Sequence, residues 1–258
     1  MNGRALLVGD VLIGLVPIVL IIALWQALAA SGVAPPALLP APMAVFRRLI
    51  EQLGSLTYLQ HAATTLFRLF AGFGMAVAIG VVLGAAATGS RAMKAGLMPL
   101  VRVLAPVPKV ALYPAFILTL GFDNASKIAL VVADAVFPIL LATYQGTSAV
   151  EPKLAWAAQA VGVSRLRCLF TVVLPAALPS VLTGCRIGLV ISCIVVFLAE
   201  MITSTDGLGH LLVRAARNFQ TIDMFVPLIT ISLLGLLLNA GFNALRRRLL
   251  IGFPEEKD

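Results

Sequence analysis

Charge is what this chain has least of. Only 12% of its 258 residues are Asp, Glu, Lys or Arg, against 60% hydrophobic. A soluble domain averages about 25% charged residues, so the polar surface here is too small to cover a globule of this size. Histidine and cysteine are also scarce. His61 and His210 lie far apart, and Cys168, Cys185 and Cys193 lack metal-site spacing. That argues against a metal or histidine-based catalytic centre, and two of the cysteines read as small apolar residues in or near a span. No GxxxxGK[ST] run occurs, so the chain has no phosphate-cradling loop and is not expected to hydrolyse ATP. The formal charge of +8 does not cluster as nucleic-acid binding requires. Basic residues at span ends, near anionic lipid, account for it.

Long apolar runs are what the chain does have. A hydrocarbon core of about 30 Å needs roughly 20 helical residues to cross it. Six stretches meet or approach that length, near residues 11–30, 69–88, 97–120, 127–144, 181–202 and 225–245. The expected fold is therefore all-α and polytopic, with about six transmembrane helices. The start, Arg4 followed by an apolar run of some 18 residues, is longer than a cleaved leader's core and reads as a retained first span. Pro106 and Pro108 predict a kink or break in the third stretch. Gly72, Gly74, Gly80 and Gly84 in the second read as internal helix packing.

With the amino terminus inside, ten basic residues fall on the cytoplasmic side and six, Arg68 and Lys127 among them, on the other. The positive-inside rule thus favours two cytoplasmic termini. It also places the polar interruption near residues 146–178 in the cytoplasm. There Leu154, Ala157, Ala158 and Val161 fall at i, i+3, i+4 and i+7, one apolar stripe on a helix too short to span. Gly162 permits a turn, a second helix carries Arg165 and Arg167, and Pro175 and Pro179 mark re-entry into the membrane. A short exposed helix of this kind suits docking into a partner's groove; physical chemistry alone allows equally an interfacial helix with no partner.

The segment resembles the EAA loop of permease subunits of binding-protein-dependent ABC importers. That pattern is Glu-Ala-Ala, three residues, Gly, nine residues, a β-branched aliphatic, one residue, then Leu-Pro. Here it reads Trp156, Ala157, Ala158, Gly162, Val172, Leu174 and Pro175, with Trp156 where the family usually has Glu. "LLPAPMAVFRRL", "HAATTLFRLFAGFGMAVAIGVVLG", "PVPKVALYPAFILTLGFDNASKIALVVADAVFPILLATYQG" and "CRIGLVISCIVVFLAEMITSTDGLGHLL" are similar to the nitrate, sulfonate, taurine and bicarbonate branch, which also includes permeases for thiamine-precursor pyrimidines.

The resemblance implies a type I importer-like permease of the bacterial inner membrane. A second permease copy, two cytoplasmic ABC ATPase subunits and an extracytoplasmic binding protein would be its partners. ATP would be bound by the ATPases, with no cofactor in this chain. Trp156–Gly162 would be the helix that couples to the ATPase, with Leu174 and Pro175 closing the loop. A Trp at position 156 offers apolar area and one N–H in place of a carboxylate's charged hydrogen bonds. The division expected is residues 1–68, a first span with an external Pro-rich and amphipathic segment, and 69–258, the permease core. The solute would be a small anion such as a sulfonate, nitrate, bicarbonate or carboxylate, or alternatively a pyrimidine.

Arg102, Lys109, Asp134, Arg186 and Glu200 lie in or near the expected spans. Such charges face a cavity or a partner. Lys109, Tyr113, Phe116, Asp134 and Glu200 are candidates for the translocation pathway. The competing expectation is that Lys109 or Arg186 pairs with Asp134 or Glu200 to hold the bundle together. An intramembrane enzyme using Asp134 or Glu200 would need the two carboxylates to meet, which nothing in their spacing suggests. A secondary transporter often shows internal hydropathy repeats, and none is visible.

Overall fold

The computed structural model describes residues 3–33, 35 and 37–253, with side chains from Val16 onward. Arg4 thus has no described side chain, and Lys257 lies outside the described residues. Among the described residues the regular secondary structure is entirely helical, with no strand. In chain order the helices are α1 (Gly3–Ala30), α2 (Pro42–Leu53), α3 (Leu56–Gly89), α4 (Arg91–Leu104), α5 (Tyr113–Leu120) and α6 (Asn124–Ala149). There follow α7 (Pro152–Ala160), α8 (Arg165–Cys168), α9 (Leu174–Ala176), α10 (Leu178–Thr203), α11 (Leu208–Arg217) and α12 (Thr221–Leu249).

Helices α3, α6, α10 and α12 are each long and apolar enough to cross a membrane, and the bent pair α4–α5 makes five if it is one span. The axis turns by 92° between α4 and the 3₁₀ turn Lys109–Leu112 that opens α5. Proline at 106 and 108 removes backbone donors there, so the helix cannot run through. The six expected stretches map onto α1, α3, the α4–α5 pair, α6, α10 and α12.

The core is a triplet of α3, α6 and α10. Small residues let their backbones approach closely. A Cβ at Gly72 would sit 2.6 Å from Val131, one at Gly80 would sit 2.8 Å from Ile139, and one at Gly84 would sit 2.7 Å from the Leu140 carbonyl. From the other side, a Cβ at Gly188 would sit 2.8 Å from Ile139. Ile139 is thus held between glycines of two helices. Gly74 has open space around it and plays no part in this packing.

Helix α2 lies outside the triplet. Its chain direction is fixed by Pro42 at the first turn and by the Trp25 indole N–H, which donates to the Pro40 carbonyl at 3.0 Å. It buries Val45 and Leu49, while Arg48 pairs with Glu51 and with Asp223 of α12. Trp25 stacks on Phe225 with ring centroids 5.5 Å apart, tying α1 to α12.

One boundary differs from expectation in a way that matters. The helix expected to begin at Leu69 begins at Leu56, so Arg68, counted as external, lies inside α3 and is 2% exposed. Lys127, also counted as external, is buried in the first turn of α6. Charge ended the apolar stretch in the sequence, but both cations find partners within the bundle.

Candidate functional site

The two ends of the bundle differ in chemistry. At one end, α7 starts at Pro152, where a proline needs no N–H partner, and is followed by Gly162 with φ +87°. That left-handed value is easy only for glycine. Ser164 caps α8 by accepting from the Arg167 N–H at 3.4 Å. A π turn over Leu169–Val173 then leads through Leu174–Pro175 into α10.

No residue of α7 is buried. Trp156 is 66% exposed, and Leu154, Ala157 and Val161 are exposed as well, with Ala158 half-buried. The apolar stripe therefore faces outward from the chain. What anchors the segment is Cys168, buried with its Sγ 3.9 Å from the Ala155 carbonyl. A cavity of about 710 Å³ separates α7 and α8 from the ends of α3 and α6, lined by Ala85, Gly89, Thr147, Ala155 and Leu169. The helix is thus an exposed element held by the chain from α6 at one end and by α8, through Cys168, at the other.

At the opposite end sits a buried ionic cluster. The Arg68 guanidinium donates to Asn124 Oδ1 at 2.7 Å and to Glu200 Oε1 at 2.8 Å, and it pairs with Asp206 just past α10. Glu200, with a fully buried side chain, also accepts from the Thr65 hydroxyl at 2.9 Å and the Gly209 N–H at 3.1 Å. Thr65 in turn accepts from the Leu208 N–H at 2.9 Å, and His61 Nδ1 from the Gly207 N–H at 3.0 Å. These bonds tie α3, α6, α10 and α11 at one point.

The backbone of the α10–α11 turn is shaped for this. Gly207 has φ +93°, and a side chain there would collide with the Glu200 carboxylate. Burial pushes the Asp206 carboxyl up, but the Arg68 guanidinium and the Ser204 hydroxyl outweigh it and hold it below its ordinary value. Lys127 is satisfied locally, donating to the Phe122 carbonyl at 2.5 Å and the Asp123 carbonyl at 3.2 Å.

The remaining candidates lie between these ends. Lys109 Nζ is 3.6 Å from Asp134 Oδ1, donates to the Ala105 carbonyl at 2.6 Å and sits 4.4 Å above the Phe137 ring. Tyr113 is fully buried, its hydroxyl accepting from Thr203 at 3.0 Å, and Phe116 packs against the same apolar cluster. Glu200 takes Arg68 as its cation rather than Lys109 or Arg186. Asp134 and Glu200 thus have separate partners and do not form a catalytic pair. No cluster of three or more His, Cys, Asp or Glu able to hold a metal occurs among the described residues.

Sequence reasoning did not single out Arg68, Thr65, Asn124 or Asp206. The available signal was a lone arginine inside "TTLFRLFAG", with Glu200 shortly before "DGLG". The bonds of Arg68 and Thr65 to Glu200 span 132 and 135 residues and that of Arg68 to Asn124 spans 56, beyond any local pattern.

With this geometry in view, known proteins place the chain. The profile of the family described as "Binding-protein-dependent transport system inner membrane component" matches residues 76–250. A Bacillus subtilis (strain 168) protein named for aliphatic sulfonates transport, SsuC, is 32% identical over 92% of this chain and 86% of its own length. The taurine transport system permease protein TauC of Escherichia coli (strain K12) is 32% identical over 89% of this chain and 85% of its own. The formylaminopyrimidine transport permease protein ThiX of Halalkalibacterium halodurans is 28% identical over 88% of this chain and 89% of its own. Among solved structures, an inward-facing MetNI methionine ABC transporter chain shares the fold, with a TM-score of 0.64 at 17% identity, covering 74% of this chain and 95% of that one. The chain is a multi-pass inner-membrane protein and a non-catalytic permease subunit of an ABC importer, belonging to the binding-protein-dependent transport system inner membrane component family.

Proposed function

We propose that two copies of this chain form the path for a small anionic solute, most simply a sulfonate, and that α7 of each copy docks into a cytoplasmic ATPase subunit. The observation that carries the docking is that no residue of α7 is buried, with Trp156 66% exposed, between Pro152 and Gly162. Trp156, Ala157 and Ala158 form the contact, and Gly162, Leu174 and Pro175 set the geometry of the return to the membrane. ATP binds to the partner chains, whose closure moves α7 by favouring one of two permease states. A soluble binding protein delivers solute at the α11 end, which faces away from the cytoplasm. Both chain termini are cytoplasmic, and residues 69–258 act as the core while 1–68 supply the first span and an external segment. Lys109, Tyr113, Phe116, Asp134 and Glu200 brace the walls of the path. The names of the sulfonate and taurine relatives support the solute class.

A pyrimidine is the second reading, supported by similarity to a formylaminopyrimidine permease at lower identity. Gentle extraction of the tagged protein should recover an ATP-binding subunit, and uptake should need ATP. Ala158→Glu should abolish uptake while the protein still inserts and melts normally, and Gly162→Pro should abolish it with insertion kept but some melting stability lost, because position 162 has φ +87°. Uptake at the wild-type rate in either variant would remove α7 from the coupling role.

A further inference from the structure

Among the described residues the buried cations Arg68, Lys109 and Lys127 all find partners, in carboxylates or main-chain carbonyls, whereas the half-buried Arg186 differs. Arg68 has Glu200 and Asp206, and Lys109 has Asp134. Arg186, on α10, has no carboxylate within ion-pair distance among the described residues. Its Nε donates to Asn239 Oδ1 of α12 at 3.0 Å, and the other guanidinium nitrogens make no protein hydrogen bond. None of those nitrogens is sealed in without a partner, so they reach the molecular surface.

Arg186 is eight residues from the start of α10 and Asn239 ten from the end of α12. At about 1.5 Å per residue this puts the pair roughly 12–15 Å along each helix. A cation at that depth faces a partner or a water-filled cavity, because contact with lipid tails is costly. Next to it, α10 and α12 enclose a groove of about 540 Å³ lined by Cys193, Phe197, Ser232, Gly235 and Asn239. The groove has no charge of its own. Arg186 itself does not line the groove, but Asn239 does, and the same amide orients the guanidinium and leaves its planar fork free for two parallel hydrogen bonds to an ion that reaches it.

We propose that Arg186, positioned by Asn239, is the anion-binding residue of the translocation path and takes a monovalent oxyanion head group, a sulfonate in the first instance. This rests on the anionic-solute reading above. It adds a residue that selects solute within the permease itself.

The test uses the complete transporter, permease with its ATPase and binding protein, in proteoliposomes. Uptake of methanesulfonate and taurine is measured beside an uncharged pyrimidine, for wild type, R186Q and R186K, with melting in detergent as the structural control. R186Q should lower sulfonate uptake by about tenfold or more while R186K loses less, since Lys preserves the charge but not the fork. Melting and subunit association should not change. R186Q importing sulfonate like wild type overturns the assignment. So does a loss of uptake that follows lost melting stability or separation of the two copies, which would make Arg186 a structural contact. A wild-type transporter that moves only the pyrimidine overturns the anionic-solute reading and the Arg186 role with it, an outcome distinguishable because wild type itself then fails to import sulfonate.

Discussion

Replacing Arg68 by Met should be among the most damaging single changes the bundle can suffer. The guanidinium is 2% exposed and the Glu200 side chain is fully buried 2.8 Å away. Removing the cation leaves an uncompensated carboxylate in a low-dielectric interior, a loss of about 3–5 kcal/mol. Glu200→Met is milder, because Arg68 keeps Asp206 and Asn124. The double variant R68M/E200M strands no buried charge. Asp206 has 45% of its side chain exposed and turns to solvent. What is then lost is an acceptor for the Thr65 hydroxyl and the Gly209 N–H, roughly 1 kcal/mol each. The double variant should therefore be no worse than R68M alone, and the cycle should yield a coupling of about 3 kcal/mol or more. Helicity followed by circular dichroism as denaturing detergent displaces mild detergent gives the four stabilities. Strictly additive losses, or an R68M cost below about 1 kcal/mol, would refute the view that this cluster is a tightly coupled buried unit.

Two further outcomes follow from the same end of the molecule. Gly207→Ala should destabilise by about 1–3 kcal/mol, since position 207 has φ +93° and its side chain would meet the Glu200 carboxylate; Gly162→Ala, at φ +87° with open space around it, should lose only the backbone part, and the same unfolding experiment compares the two. Because the folded carboxyl of Asp206 is held below its ordinary value, its contribution is complete above the unfolded pKa of about 4 and is lost as pH falls through the lower folded value. The wild-type advantage over D206N in melting temperature should thus shrink on acidification only below about pH 4; an advantage that persists unchanged at lower pH would contradict the pairing.

Much of the architecture was legible because it follows from local pattern. Apolar runs declare the spans, Pro106 and Pro108 declare the break before α5, and the spacing from Lys153 to Gly162 declares a short helix and a turn. What was not legible depends on residues far apart. Arg68 and Lys127 read as span ends because hydropathy treats a cation as a stop. Each is buried because of something outside the local window or in main-chain atoms: Glu200 for Arg68, the Phe122 and Asp123 carbonyls for Lys127. Lys109 with Asp134 was among the expected pairings, whereas Glu200 with Arg68 was not.

The two ends can influence each other only if what lies between them moves as a body. The α3–α6–α10 triplet meets that condition. Ile139 is clasped between Gly80 and Gly188, and Gly146 lies so near Ser180 that a Cβ there would be 2.5 Å from the serine's. Backbones this close cannot slide by fractions of a residue without collision, so the triplet resists shear and transmits rotation. A displacement of α7 under the proposed docking would enter it through the α6 end and the start of α10. It arrives at the other end of the same helices, where Lys127 and Asn124 begin α6 and Glu200 lies near the end of α10. There the Arg68 cluster offers discrete partners rather than a continuum: Asp206 is held by a guanidinium on one side and is open to water on the other. Under the proposed docking of α7, a rigid body ending in this ionic cluster would carry a small movement at one face to the Arg68, Glu200 and Asp206 contacts at the opposite one.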